Sequence, residues 1–357
     1  MQPFVYEMPA HRVIFERGGI ARLPEEVKRL GAKRALVVST PAELRFAEDA
    51  AARLGAMAAG LFPEAVMHTP IEMVHAARQR ARELDADCYV VIGGGSTVGA
   101  GKAIALETGL PIVAVPTTYA GSEMTPIYGI TEGQLKKTGR DYKVLPRTVI
   151  YDVNLTLSLP PQISGPSGMN AMAHCVEGLY AQDTNPIVQL MAAEGIRALA
   201  RSLPIVVKEP ENIEARSDAQ YGAWLAGTVL GSAGTAIHHK LCHTLGGTFN
   251  LPHAETHTVI LPHAMVYNRE AAAEAMKMAA DALGVQDAPQ GMFDLIERIG
   301  ARTALKDIGM PADGLDRAAQ LATENAYWNP RPIERTALRA LLQAAYEGKR
   351  PLPTTSY

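Results

Sequence analysis

The stretch CYVVIGGGSTVGAGKAIAL, Cys88 to Leu106, decides the fold. Its first five residues are apolar without alternation, the pattern of a strand buried on both faces. Gly93, Gly94 and Gly95 then break the strand, and the residues after them read as a helix. This order sets the free N–H groups of a helix N-terminus beside a backbone that a ligand can approach closely. A pyrophosphate is the natural guest. The order is neither GxGxxG nor GxxxxGK[ST], so neither the common dinucleotide fingerprint nor the P-loop fits. A tight strand–helix turn with no ligand is the alternative use of the same residues.

Outward from this stretch the pattern repeats. RALVVS (Arg34–Ser39) is a second buried strand, followed by a helical segment over Ala42–Leu61 and another over Ile71–Leu84. PIVAVPTT is a further strand ending at Pro116. A β–α–β–α–β order implies a parallel sheet with helices on both faces. Tyr128–Thr131 and Thr148–Asp152 read as edge strands or a hairpin. After Leu159–Pro160–Pro161 nearly every segment to about Gly348 is helical, with Leu, Met and Ile at three- and four-residue spacing. The expectation is an α/β N-terminal domain with a parallel nucleotide-binding sheet, residues 1–160, and an all-α C-terminal domain, residues 161–357. The tail KRPLPTTSY is expected to be mobile or loosely packed.

A second small-residue loop, PTTYAGSEMT, follows the strand ending at Pro116, and two such loops at the carboxyl edge of a parallel sheet make a binding crevice. The cofactor candidates are therefore Ser39, Thr40, Gly93, Gly94, Gly95, Ser96, Thr97, Thr117, Thr118 and Ser122. For the hydroxyl residues, capping and turn formation are the structural alternative. Tyr119 in the same loop is a substrate-binding candidate. The first strand ends in Ser39–Thr40–Pro41, neutral where an acidic residue would take the ribose diol. Weak discrimination between NADH and NADPH follows, unless nearby Glu43 substitutes.

Composition bounds the function. An apolar share of 47%, a charged share of 20% and a net charge of −3 describe an ordinary globular protein with no basic block for nucleic acid. Cys88, Cys175 and Cys242 are far apart and form no CxxC pair, which fits a reducing cytoplasm. The first residues lack a signal-peptide pattern, and no apolar run is long enough to cross a membrane.

Six of the ten histidines lie in GTAIHHKLCHTLGGTFNLPHAETHTVILPH, Gly234 to His263: His238, His239, His243, His253, His257 and His263. His239 and His243 share one helix face. The Gly246–Gly247 pair and Pro252 let the chain turn back before His253. Asn170 and His174 are also four apart; a buried Asn–His hydrogen bond pinning a helix is their structural alternative. Asn170, His174, His239 and His253 have the shape of a metal site that lacks the usual carboxylate or thiolate. Clustered imidazoles otherwise serve as hydrogen-bond and proton donors to an anionic intermediate. Near the C-terminus, Asn329–Pro330–Arg331–Pro332 locks one arginine in a geometry suited to a carboxylate. A solvated arginine in a proline turn reads equally well. Lys143 is a second candidate cation.

Together GGGSTVGAGK, PTTYAGSEMT, GMNAMAHCVE and HHKLCHTLGGTFNLPH make the chain resemble, over its full length, the iron-containing alcohol dehydrogenase superfamily and, within it, the maleylacetate reductases. The resemblance implies a dehydroquinate synthase-like fold and a homodimer. It also implies reduction of a small dicarboxylate, maleylacetate, to 3-oxoadipate with NADH or NADPH. Metal-dependent members use an Asp and three His, at the positions of Asn170, His174, His239 and His253. Asn in place of Asp agrees with the maleylacetate reductases, and no metal is expected. Gly99 stands where members often carry Asp. On this resemblance His243 is the proton donor. His239, His253 and His174 hold the enolate oxygen or a carboxylate, and Arg331 or Lys143 binds a carboxylate. Asn170, His238 and Asn329 complete the substrate pocket. The rivals are a metal-dependent alcohol or aldehyde dehydrogenase, a lyase in the manner of dehydroquinate synthase, and a nucleotide-sensing binding protein.

Overall fold

The computed structural model describes Phe4, Tyr6, residues 11–133 and residues 135–352. The expectation for the last five residues of the tail lies outside the described residues. The chain divides into two compact units at Leu159 and Pro160.

The first unit is built on a six-stranded parallel sheet. Its strands are β1 (Arg12–Phe15), β2 (Ala35–Val38), β3 (Ala58–Phe62), β4 (Cys88–Gly93), β5 (Ile112–Pro116) and β8 (Thr148–Tyr151), with β6 (Ile127–Glu132) and β7 (Leu135–Arg140) forming a separate antiparallel hairpin. The sheet order is β1-β8-β5-β4-β2-β3. Its helices are α1 (Leu23–Arg29), α2 (Leu44–Leu54), α3 (Ile71–Glu83) and α4 (Gly95–Thr108). Residues of β2, β4 and β5 are wholly buried, because helices cover both faces of the sheet. On one face Val37, Val90, Ile92, Val113 and Val115 pack with Leu23 and Val27 of α1 and Ala47 and Ala50 of α2.

Two sequence expectations change. Ala42–Leu61 is not one helix: α2 stops at Leu54, Gly55 takes φ +56°, and Ala58–Phe62 becomes β3 beside β2. Alanine-rich composition concealed that strand, and the left-handed glycine separates it from the helix. Thr148–Asp152 is not an edge: β8 pairs in parallel with both β1 and β5, and Val149 and Ile150 have no exposed surface. The hairpin expected near Tyr128–Thr131 is present as β6 and β7.

The second unit is helical throughout. It contains α5 (Pro161–Gly178), α6 (Pro186–Lys208), α7 (Ile213–Ser232), α8 (Ile237–Phe249), α9 (His253–Asn268), α10 (Ala273–Leu283), α11 (Ala288–Arg298), α12 (Leu315–Thr323) and α13 (Arg335–Glu347). One core joins Leu241 and Leu245 of α8, Ile260 and Ala264 of α9, Leu315 and Ala319 of α12, and Leu338 and Leu342 of α13. Helix α8 runs through Gly246–Gly247; the turn falls at Asn250, which takes φ +54°, and at Pro252. Asparagine tolerates that left-handed position and so caps the helix. Among the described residues no helix is long and apolar enough to cross a membrane.

Candidate active site

In the first unit, the turn between β4 and α4 is closed around a carboxylate. Gly93 takes φ +152°, and a Cβ there would collide with Glu43 and Thr97. Glu43 Oε1 accepts from Gly94 N–H at 3.2 Å and from Thr117 Oγ1 at 2.7 Å. Its Oε2 accepts from Thr40 Oγ1 at 2.8 Å and Thr97 Oγ1 at 3.2 Å. The first-turn N–H groups of Gly95, Ser96 and Thr97 have no intrahelical acceptor, an arrangement that suits an anion. Thr118 lies against Gly94, where a Cβ would meet its side chain. Ser39 is buried, and Tyr119 has no exposed surface, so its ring belongs to the packing of the loop.

Ser122 is held from below. Lys102 Nζ donates to the Ser122 carbonyl, to Ser122 Oγ at 3.1 Å, to Thr125 Oγ1 at 2.9 Å and to the Ile127 carbonyl at 2.9 Å. Burial pushes the Lys102 ammonium down to about 7, with the Glu123 carboxylate opposing. Burial also raises Glu123, which accepts from Tyr151 Oη at 2.8 Å. This network pins the PTTYAGSEMT loop to α4. Lys102 stands in the quoted glycine stretch but shows its function only once the loop folds over it.

In the helical unit, α5 and α8 bring three expected residues together. Asn170 Nδ2 donates to His174 Nε2 at 3.4 Å, and His174 Nδ1 lies 2.9 Å from His239 Nε2. The His174 and His239 rings stack with centroids 4.9 Å apart. His239 Nδ1 in turn reaches Glu177 Oε2 at 2.6 Å. Glu177 also accepts from the N–H groups of Ala236 and His238, both at 2.8 Å, at the head of α8. All three partners are donors, the set that an acceptor-only carboxylate satisfies. The hydrogen bonds therefore fix the tautomers. Neutral His239 carries its proton on Nδ1 and accepts at Nε2, and His174 donates from Nδ1 and accepts at Nε2.

Glu177 was missed in the sequence. It sits in GMNAMAHCVE, three residues after His174 and seven after Asn170, on the same helix face. The charge that the histidine set lacks stands directly behind His239.

His243 and His253 are both exposed. The His243 ring lies 5.9 Å from that of His239, and its Nδ1 is 3.1 Å from Tyr327 Oη. Burial, and then Glu177, raises the Tyr327 hydroxyl. His253 packs on His257 with centroids 4.3 Å apart. His263, at the far end of the block, is not in the cluster: it is buried in α9, and burial lowers it to about 4.

The expectation that no metal is held is corrected here. His238, Cys242 and His257 each offer one ligand atom, and these atoms lie within 4.8 Å of one another. Two imidazoles and a sulfur are a donor set that suits zinc or iron. Cys242 was read as lying off the His239 face; it lies on the His238 face, with Sγ 3.6 Å from His238 Nε2. His238 Nε2 and His257 Nδ1 are 2.9 Å apart, and both rings are wholly buried. Burial, and after it the surrounding imidazoles, lowers both residues well below the ordinary histidine range. Neutral imidazoles are the ligating form. The remaining ring nitrogens, His238 Nδ1 and His257 Nε2, are buried without a hydrogen-bond partner. The residues present thus fit a metal, through a set different from the four positions named by resemblance.

The cations differ in setting. Arg331 lies with its guanidinium carbon 4.3 Å from the Tyr267 ring centroid and donates to the Tyr267 carbonyl at 3.1 Å. Asn329 exchanges hydrogen bonds with Asn268 at 2.9 and 2.7 Å and donates to the Arg331 carbonyl at 2.7 Å, so it ties the proline loop to the end of α9. Lys143 is 63% exposed with Asp141 at 3.8 Å, a solvated lysine.

Comparison with known proteins agrees with this architecture. Residues 10–153 match the iron-containing alcohol dehydrogenase family, and residues 165–346 match the C-terminal part of the Fe-containing alcohol dehydrogenase family. The chain is 56% identical to the maleylacetate reductase of Burkholderia cepacia, over 98% of this chain and 100% of that protein. It is 56% identical to that of Sphingobium indicum, over 98% and 99%. The crystal structure of maleylacetate reductase from Agrobacterium tumefaciens superposes with a TM-score of 0.95 at 54% identity, covering 98% of this chain and all of that one. The chain belongs to the iron-containing alcohol dehydrogenase family.

Proposed function

We propose that this chain is a maleylacetate reductase, reducing the carbon–carbon double bond of maleylacetate to give 3-oxoadipate in the breakdown of aromatic compounds. The observation that carries the reading is identity above one half, over the full length, to proteins of that name. Two further features support it: a glycine turn that suits an anion, and a histidine cluster backed by a carboxylate.

Maleylacetate is a dicarboxylate whose alkene is conjugated to a ketone. The reduced nicotinamide supplies a hydride to the alkene carbon β to the ketone. Negative charge then collects on the ketone oxygen, and a proton must reach the α carbon. The protein must therefore steady an oxyanion and deliver one proton.

The residues divide these tasks. His253 holds the enolate oxygen or a carboxylate; the N–H groups of His174 and His239 are engaged with His239 and Glu177, so these two rings order the site beside it. Glu177 keeps His239 in one tautomer and one orientation. His243 gives the proton; its exposure, and the Tyr327 hydroxyl against Nδ1, favour Nε2 as the donating atom. Arg331 binds a substrate carboxylate, since Tyr267 holds its guanidinium in place and lowers the entropy lost on binding. Asn170 and His238 shape the pocket; Lys143, in solvent, has the weaker claim. A metal on His238, Cys242 and His257 would supply positive charge beside the cluster. The reading includes a homodimer and a cytoplasmic setting, the latter supported by three free, buried cysteines.

The test is consumption of NADH and NADPH with freshly made maleylacetate, with 3-oxoadipate identified as product. Turnover of simple aldehydes or ketones in place of maleylacetate overturns the reading. It would favour the second one, a metal-dependent alcohol dehydrogenase, for which the His238–Cys242–His257 set is the supporting observation.

A further inference from the structure

We propose that Lys240 is a positioning residue for the proton donor: it holds residues 324–328 on α8 and so keeps the Tyr327 hydroxyl against His243. This rests on the proton-donor role read for His243.

Lys240 stands between His239 and His243 in HHKLCH. By sequence alone a lysine on a helix is most simply a solvated cation.

The fold gives it a task. Lys240 and His243 are three apart on α8, so they share a face. Both reach the same short segment after α12. Lys240 Nζ donates to the Glu324 carbonyl at 2.8 Å, and its ammonium lies 5.7 Å from the Tyr327 ring centroid. His243 Nδ1 lies 3.1 Å from Tyr327 Oη, and the two rings meet edge-on at 69°. The Tyr327 side chain is thus held at its face by a cation and at its tip by an imidazole.

The segment is a surface loop. Residues 324–326 and Trp328 are exposed, and Asn325 takes a left-handed φ of +48°. Further along, Asn329 fastens the chain again to Asn268. An exposed loop between two anchors opens locally at small cost. Lys240 resists that opening twice, through a charge-assisted hydrogen bond to the backbone and through the ring contact. Without it Tyr327 is free to turn away. His243 then loses the partner that fixes which of its nitrogens carries the proton.

Two other roles for Lys240 give different results. A lysine that binds a substrate carboxylate raises KM when removed, whatever stands at position 327. A lysine that only stabilises the fold leaves kcat per folded site alone. A positioning lysine lowers kcat, and only while Tyr327 keeps its hydroxyl.

The experiment is a double-mutant cycle on the full chain with NADH and freshly made maleylacetate. Lys240→Met should lower kcat by about fivefold, with KM for maleylacetate changed by less than about twofold. On Tyr327→Phe protein the same substitution should cost less than about twofold, because the hydroxyl it serves is gone. Lys240→Arg keeps a cation that can reach the carbonyl and cover the ring, and should recover most of the loss. Should Lys240→Met not fold, Lys240→Gln takes its place in the cycle, with an expected loss of about threefold. Wild-type kcat, a rise in KM of about tenfold, or an equal loss with and without the Tyr327 hydroxyl overturns the positioning role.

A second measurement needs no substrate. The chain has two tryptophans, Trp224 and Trp328, so Trp224→Phe leaves Trp328 as the reporter beside Tyr327. Acrylamide quenching of Trp328 should rise by about twofold when Lys240→Met is added. Unchanged quenching overturns the hold on the segment. Failure of the wild type to reduce maleylacetate removes the substrate and proton-donor assignments, while the quenching still decides whether Lys240 holds the loop.

Discussion

Glu177 Oε2 stands 2.6 Å from His239 Nδ1, and both side chains are buried. The same carboxylate receives two backbone N–H groups at the head of α8. One residue of α5 thus fixes where α8 begins and which nitrogen of His239 carries the proton. Carboxylate–histidine pairs of this kind orient a ring and raise its basicity.

Glu177→Gln should lower kcat by about ten- to a hundred-fold. A glutamine has only one acceptor oxygen for three buried donors. Its amide N–H groups would face at least one of them, at a cost of about 1–3 kcal/mol in stability. Nitrogen-15 spectra of labelled histidine separate orientation from simple loosening of the fold. Wild-type His239 should appear as the Nδ1–H tautomer, and the variant should lose that preference. A variant with wild-type kcat and an unchanged tautomer would remove Glu177 from the mechanism.

His243→Ala should cost about a hundred-fold or more in turnover, with KM changed far less, because a donor used only in the transition state is removed. Tyr327→Phe removes the hydroxyl against His243 Nδ1 and should cost less, about tenfold, by releasing the ring. Stopped-flow single turnovers separate the proton step from product release. Near-normal turnover of His243→Ala would move the donor role to another group.

Different parts of this site were legible in the sequence to different degrees. The histidine spacing on α8 and the Asn170–His174 pair each lie within one helix, where periodicity alone decides which residues share a face. The strand, glycine turn and helix at Cys88–Leu106 were legible for the same reason. Glu177 was not singled out, because one glutamate in a helix carries no mark of its partner. Its meaning depends on α8 starting against α5, some sixty residues later in the chain. Cys242 was discounted as lying off one face, when the useful face was the other. Glu43 was read as a nearby acidic residue that could substitute at the β2 end; its reach to Gly94 and Thr117 depends on strand order, which local pattern does not give.

The His238–Cys242–His257 set makes its own prediction. Protein loaded with cobalt(II) should show a thiolate-to-metal absorption band, and Cys242→Ser should abolish it. Elemental analysis should show metal at close to one equivalent per chain in the wild type and much less in the variant. Metal retained by Cys242→Ser, with no thiolate band in the wild type, would place any ion elsewhere.

His263 gives the protein a definite acid response. Its imidazole is buried without a partner at Nε2, and burial lowers its pKa from 6.5 to about 4. As the pH falls below 6.5, the unfolded chain takes up a proton that the folded chain refuses, so stability declines. The decline runs between pH 6.5 and about 4, and the gap corresponds to about 3 kcal/mol at its end. Above pH 6.5 both states are neutral at this residue, and its contribution to the slope vanishes. His263→Leu should flatten the dependence of unfolding free energy on pH across that window. The flattening should approach about 1.4 kcal/mol per pH unit at its steepest. Urea titrations at pH 7.5, 6, 5 and 4.5 on both proteins measure the difference directly. Parallel curves for the two would mean that His263 takes up its proton in the folded state as readily as in the unfolded one.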